Sequence, residues 1–428
     1  MRPNLVPSIE EPLTRQFEQY LGLPSKTRPV TLAEARNILS KVERATGVKP
    51  ALIYATFVPP SLAANQSTSV AEPSRNPDIK TQNSEYQLEV VLVTGEGEPI
   101  RRLLTGATRE KVLKVVQQFQ SEVTNSQSGR DYEAPGRQLY QWLLAPVEAE
   151  IKARGIHNLS FIMDSGLRSL PIAALYDGQQ FLVEKYSLGL MPSLSLITDT
   201  NYKSLKGLQV LAMGAAQFPE KKPLPAVPVE LSVITPSLWQ GKSFLNDRFT
   251  LANLKAQRQE QPFGLIHLAT HANFRPGAPG NSYIEFWDTK LQLDQLSELG
   301  WSNPAVELLV LSACKTALGD QQAELGFAGL AVQAGVKSAI ASLWSVSDEG
   351  TLALMTQLYQ QLKVSPIKAE ALRQAQIAMI KGQVSLKEGK LFTGKETVPL
   401  PSELAKLGTR DLKHPYFWAG FTLIGSPW

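Results

Sequence analysis

The chain has 428 residues, length for two or three domains of roughly 100 to 200 residues each, and its 43% hydrophobic and 19% charged residues exclude a wholly disordered or coiled-coil chain. Its 43 Lys and Arg against 39 Asp and Glu leave a net charge of +4, which argues against a whole-chain basic surface for nucleic acid. A single cysteine, Cys314, excludes an intramolecular disulfide framework, and with four histidines (His157, His267, His271, His414) no cysteine-rich zinc module can be built.

No apolar run approaches the ~18 residues of a transmembrane helix, and residues 1–10 (MRPNLVPSIE) hold no apolar signal-peptide segment, so a soluble, cytoplasmic protein is expected. Residues 31–46 (TLAEARNILSKVERAT) set Leu32, Ala35, Ile38, Leu39 and Val42 at helical spacing, with Thr31 as N-cap and Glu34 closing a capping box. Residues 51–58 (ALIYATFV) and 86–93 (YQLEVVLV), rich in β-branched and aromatic side chains, predict strands. The Pro/Ser/Asn/Gln-rich residues 59–84 between them have little to bury and predict a mobile excursion from a hairpin. Residues 109–123 put Val112, Val115, Val116 and Phe119 on one helical face. Residues 1–131 are thus expected to form a smaller α+β accessory region.

From residue 132 to 428, short apolar runs alternate with amphipathic helices, the pattern of an α/β domain with a mostly parallel sheet. Strands are predicted at 159–163, 186–190, 208–213, 264–268, 307–311, 338–343 and 417–424, and helices at 135–153, 325–335, 350–362 and 367–380. Two loops, 219–228 and 384–401, are expected to be exposed, the second carrying Lys387, Lys390 and Lys395. No solenoid period is present.

Cys314 ends an apolar run, LLVLSACKTA, and a residue at the carboxyl end of a parallel strand faces the crevice where α/β sheets place their sites. Cysteine is equally at home as a buried structural residue. His267 and His271 lie in GLIHLATHANF, with His271 expected past the strand end. Their H-x-x-x-H spacing would need a helix to bind zinc, and Leu268 fills the place of the metalloprotease glutamate. A thiol and an imidazole from neighbouring strand ends can pair as nucleophile and base. No P-loop and no HExxH occurs, so a nucleotide or zinc hydrolase is poorly supported and neither cofactor nor metal is expected.

Read together, the flanking stretches resemble a CHAT domain, a branch of the caspase-like clan of cysteine peptidases that includes separases and metacaspases. The matching residues are Leu139, Tyr140, Leu143, Leu144, Pro146 and Glu148, then DSGLRSLPIAAL from Asp164, LIHLATHANF from Leu265, LVLSACKT from Leu309, GFAGLAVQAGVKSAIASLWSV from Gly326 and PYFWAGFTLI from Pro415. The resemblance implies a caspase-like α/β fold in which His271 is the general base and Cys314 the nucleophile. It places the oxyanion on the backbone N–H groups of Cys314 and Ala272, the latter where the family often has glycine. Asp348, after LWSVS, resembles the separase acid that meets an arginine of the substrate, and Asp164 follows the first strand of the domain; both are expected to bind substrate and to favour a basic residue before the scissile bond. Asp348 would serve equally as the N-cap of the helix expected from Gly350. The resemblance implies a cysteine endopeptidase acting on proteins or peptides under a regulatory protein partner, with no nucleic-acid or membrane role; the alternative is a catalytically silent module that docks partners. Basic specificity would also make Arg75, Lys80 and the lysines of 384–401 points of self-cleavage.

Overall fold

The computed structural model describes residues 5–60, 84–197, 199–218, 221–316, 318, 320–394 and 397–428, with 313–316 described by their backbone. Its strands in chain order are β1 (Pro50–Val58), β2 (Gln87–Thr94), β3 (Ile100–Thr108), β4 (Asn158–Met163), β5 (Ser187–Met191), β6 (Val210–Gly214), β7 (Gly241–Leu245), β8 (Leu265–Phe274), β9 (Tyr283–Glu285), β10 (Lys290–Gln292), β11 (Leu308–Thr316), β12 (Ser338–Ser342), β13 (Ser385–Lys387), β14 (Lys390–Phe392), β15 (Thr397–Pro399), β16 (Arg410–Asp411) and β17 (Phe421–Gly425). The main sheet runs β10-β9-β8-β11-β12-β17-β5-β4-β1-β2-β3, with β6 and β7 attached beside β8.

Two parallel blocks meet inside this sheet. Strands β7, β6, β8, β11 and β12 are parallel to one another. β17 runs against β12, and β5, β4 and β1 follow the direction of β17. The accessory residues join the second block: β1 pairs with β4 from Pro50↔Asn158 to Ala55↔Met163, and β2 and β3 extend the sheet outward.

Period-2 alternation divides the side chains of β1 between two cores. Leu52 and Tyr54 pack with Val6, Ile9 and Leu13 of the helix Leu5–Leu21 and with Ala35, Leu39 and Val42 of the helix Leu32–Thr46. Ala51, Ile53 and Ala55 belong to the larger core on the other face, with Val112, Val116 and Phe119. The predicted capping box is present: Thr31 accepts from the Glu34 N–H, and Glu34 accepts from the Thr31 N–H. The helix expected over 135–153 is two helices, Glu133–Leu143 and Ala145–Ala153, and that expected over 325–335 is Gln321–Ala328 followed by Leu330–Ala334.

Residues 384–401 are largely a small sheet rather than a plain loop. β13, β14 and β15 form an antiparallel meander and β16 adds to β13. Val384, Leu386, Leu391 and Val398 are buried while Lys387 and Lys390 stay exposed. Lys395 and residues 61–83, with Arg75 and Lys80, lie outside the described residues.

Candidate active site

β8 is twice as long as its apolar run suggests, which corrects the placement of His271: it lies within the strand, not past it. The run LIHL is followed by ATHANF, whose mixed polarity carries no strand signal of its own. Partners on both sides hold it extended. β11 pairs along the whole length, from Leu308↔Leu265 to Thr316↔Phe274. On the other side β6 pairs up to Gly214↔Ala269, and β9 begins at Ala272↔Ile284. Gly214 permits this approach, because a Cβ there would stand 2.4 Å from the Ala269 carbonyl oxygen. His271 sits in the gap between the two partners, where the chain leaving β6 passes over β8.

The register brings the histidine and the cysteine to neighbouring strands. Ala313 is the partner of His271 and Cys314 that of Ala272, after a register shift between Leu311 and Ala313. The two residues are therefore one step out of register on parallel strands about 5 Å apart. Ala272 has no positive φ, so its side chain imposes no backbone strain where the family often has glycine.

The loop after β6 sets the chemistry of His271. Its Nε2 lies 3.0 Å from the Lys222 carbonyl oxygen, which can only accept, so Nε2 carries the proton and the neutral ring keeps its lone pair on Nδ1. The ring rests against Phe218, with centroids 4.9 Å apart. Burial lowers the pKa of His271 and Lys221 adds to the effect, while the Lys222 carbonyl and Glu285 oppose it. The ring is thus neutral at pH 7. Lys221 pairs with Glu285, which fixes the loop to β9.

The same loop reaches Asp348. The Asp348 carboxylate accepts from the Ala226 N–H at 2.6 Å, four residues beyond the carbonyl that holds His271. Four extended residues span at most ~14 Å, so the contacts to Asp348 and to His271 come from one short stretch of chain. Burial pushes the Asp348 carboxyl up to about 7, with Glu230 and Glu349 adding to it and the Ala226 N–H opposing it. The N-cap of the helix Asp348–Leu362 is Ser347, which accepts from the Gly350 N–H at 3.1 Å. The capping role that Asp348 could have filled is already taken.

The CHAT domain profile matches residues 133–426, more than two thirds of the chain. The chain belongs to the CHAT domain family. Among solved structures, the separase-securin complex of Saccharomyces cerevisiae is similar at a TM-score of 0.50 and 10% identity, over 97% of this chain and 33% of the separase chain. This chain therefore spans about a third of the separase it matches. Gingipain R, an Arg-specific cysteine proteinase, matches at a TM-score of 0.41 and 12% identity over 76% of this chain and 68% of its own. No curated protein matches by sequence. The fold of this CHAT protein is caspase-like: a central, mostly parallel sheet flanked by helices.

Asp164 follows the carboxyl end of β4. β4 runs opposite to β8 and β11, so its carboxyl end is not at the edge where those strands end. The carboxylate of Asp164 accepts from the N–H groups of Phe57 (3.2 Å) and Ser165 (2.7 Å). The following loop braces the helix Gln321–Ala328, with the Gly166 N–H and the Ser169 hydroxyl donating to Glu324. Arg168 is buried there over Phe17, its Nε donating to the Met163 carbonyl at 2.9 Å. His267 is a core residue: fully buried, with Nε2 2.7 Å from Glu230 and Nδ1 3.1 Å from the Tyr359 hydroxyl.

Phe218, Lys222 and Ala226 escaped the sequence reading because two of them act through backbone atoms and one through a generic apolar contact, none of which a motif records. Among the described residues no cluster of three or more His, Cys, Asp or Glu is arranged to hold a metal, and no helix is long and apolar enough to cross a membrane.

Proposed function

We propose that this chain is a cysteine endopeptidase in which His271 and Cys314 form a catalytic dyad. His271 Nδ1 takes the thiol proton, the thiolate attacks the scissile carbonyl, and the backbone N–H groups of Cys314 and Ala272 receive the oxyanion. The imidazolium then protonates the departing amine, leaving a thioester. Water, deprotonated by the same ring, cleaves the thioester and restores the thiol. The observation that carries this reading is the placement of a neutral imidazole, its Nε2 committed to Lys222, one register step from Cys314.

Asp348 receives the side chain before the scissile bond and favours Arg or Lys. Contacts of Phe218 and Lys222 with His271 and of Ala226 with Asp348 support this. Residues 1–131 act as an accessory region that extends the sheet of the peptidase. A peptide-library profile on purified protein tests the reading: cleavage after basic residues that disappears in both Cys314→Ala and His271→Ala supports it. Absence of any cleavage, with no labelling of Cys314 by a thiol-reactive peptide, would favour a module that only docks partners.

A further inference from the structure

A cavity of about 230 Å³ lies where β6, β11 and β12 begin, at the edge of the sheet opposite the candidate active site. Its walls are residues 202–206, which lead into β6, and residues 362–368, which join two helices. Lys203 and Lys206 come from the first wall, and Ser365 and Lys368 from the second. Lys368 opens the helix Lys368–Ile380, whose N-cap, Ile367, offers no side-chain oxygen to the first-turn N–H groups. The Ala369 N–H of that first turn already donates to the Pro427 carbonyl at 3.0 Å, and the N–H groups that remain give the helix end a partial positive charge at the cavity wall.

Lys368 is the unusual residue here. It is 2% exposed, and its Nζ has no hydrogen-bond partner among the described residues. The nearby carboxylates are engaged elsewhere: Lys337 lies 3.1 Å from both Glu307 and Asp199, Lys203 lies 3.5 Å from Glu307, and Glu370 pairs with Arg373. Lys206 has no carboxylate partner among the described residues. Burial pushes the Lys368 ammonium down to about 7, with Lys337 adding to it and Glu307 and Asp199 opposing it. A buried ammonium without a partner is unfavourable; Nζ is closed off from the cavity as the side chain stands, and a turn of the side chain into it would let an anion there supply the partner.

We propose that this cavity binds a phosphate dianion, held by Lys368, Lys206, the Ser365 hydroxyl and the amino end of the helix Lys368–Ile380. With Lys368 protonated once an anion is bound beside it, two ammonium groups and a helix end of roughly +0.5 sum to about +2.5, which matches the −1.5 to −2 of a phosphate or phosphate monoester better than a carboxylate. The site is independent of the peptidase reading, since none of its residues belongs to the crevice at His271.

Calorimetric titration of the full chain with inorganic phosphate, AMP and acetate at equal ionic strength tests it. Phosphate should bind with a Kd at or below about 1 mM, and Lys206→Ala and Lys368→Met should each weaken binding at least about tenfold. The distant Lys290→Ala should bind as wild type does. AMP binding tighter than inorganic phosphate identifies an ester as the ligand, and equal or weaker AMP binding identifies free phosphate. Lys368→Met removes a buried charge and keeps the volume, so loss of folding is not a competing explanation, and a melting temperature no lower than that of wild type confirms it. Phosphate binding no tighter than acetate, or undiminished in the Lys206→Ala/Lys368→Met double variant, overturns the proposal.

Discussion

Asp348 titrates where a peptidase assay can follow it, so pH separates its role from that of His271. A carboxyl with a pKa of about 7 is roughly nine-tenths ionised at pH 8 and one-tenth ionised at pH 6. Because kcat/KM reports groups on the free enzyme, the preference for Arg over a neutral residue should fall about tenfold across that interval. His271 has its pKa lowered from 6.5, so the acid limb for neutral substrates should lie below that value. Asp348→Asn keeps an oxygen that can accept from the Ala226 N–H, and Ser347 still caps the helix, so the fold should survive. The variant should lose at least about tenfold in kcat/KM for Arg and Lys substrates, a floor beneath the ~2 kcal/mol lower end of what an unpaired buried charge costs, with little change for neutral ones. Its Arg-to-neutral ratio should also become independent of pH. Paired fluorogenic peptides differing only before the scissile bond, measured from pH 5.5 to 8.5, give both numbers. A wild-type ratio that stays flat between pH 6 and 8, or equal losses for both peptides in Asp348→Asn, would refute the assignment.

Cys314→Ala should abolish peptide hydrolysis while melting within a degree or two of wild type, since it removes no buried charge; measurable turnover in that variant would end the thiol mechanism. His271→Ala should lose most activity with the fold intact, as checked by circular dichroism beside the kinetic assay. His267→Ala leaves the buried Glu230 and Tyr359 without their partner and should cost on the order of 3 kcal/mol of stability in denaturant melts. Lys368→Met should stabilise the protein at neutral pH by a few kcal/mol. The sign follows from the lowered pKa: between about 7 and 10.5 the unfolded chain binds more protons than the folded one, so wild-type stability rises with pH there. The gain in the variant should be full below pH 7 and gone above 10.5.

The sequence was most informative where side chains repeat at the period of an element. The box at Thr31 and Glu34 and the strands beginning near Ala51 and Leu159 are local patterns, and the structure reproduces them. It was least informative where pairing decides the conformation. ATHANF stays in β8 because β11 and β9 flank it, and SACKT stays in β11 through its ladder to β8 alone, since β12 pairs only with Leu309 and Val310. β3, with Gly106 at a φ of 84°, shows weak alternation and is held by its ladder to β2. The helix Leu5–Leu21 contains Pro12, which discourages a helical reading, yet its Val6, Ile9 and Leu13 are buried in the second core. At the site, the motif identified the residues to compare, whereas the tautomer of His271 and the grip on Asp348 come from backbone atoms of a loop with no pattern to read.

The junction of β1 with β4 bears on how the protein can be divided. The family match begins at residue 133, and a fragment cut there would discard the neighbour that occupies one side of β4 from Asn158 to Met163. That strand would become a bare edge with a row of unsatisfied N–H and C=O groups, open to addition by another chain. The two helices that cover Ile162, Met191 and Leu194 would be lost with it, leaving a greasy strip alongside the exposed edge. Such a fragment is open to self-association, so the stretch that the family match spans and the stretch that keeps β4 covered are different lengths of the same chain.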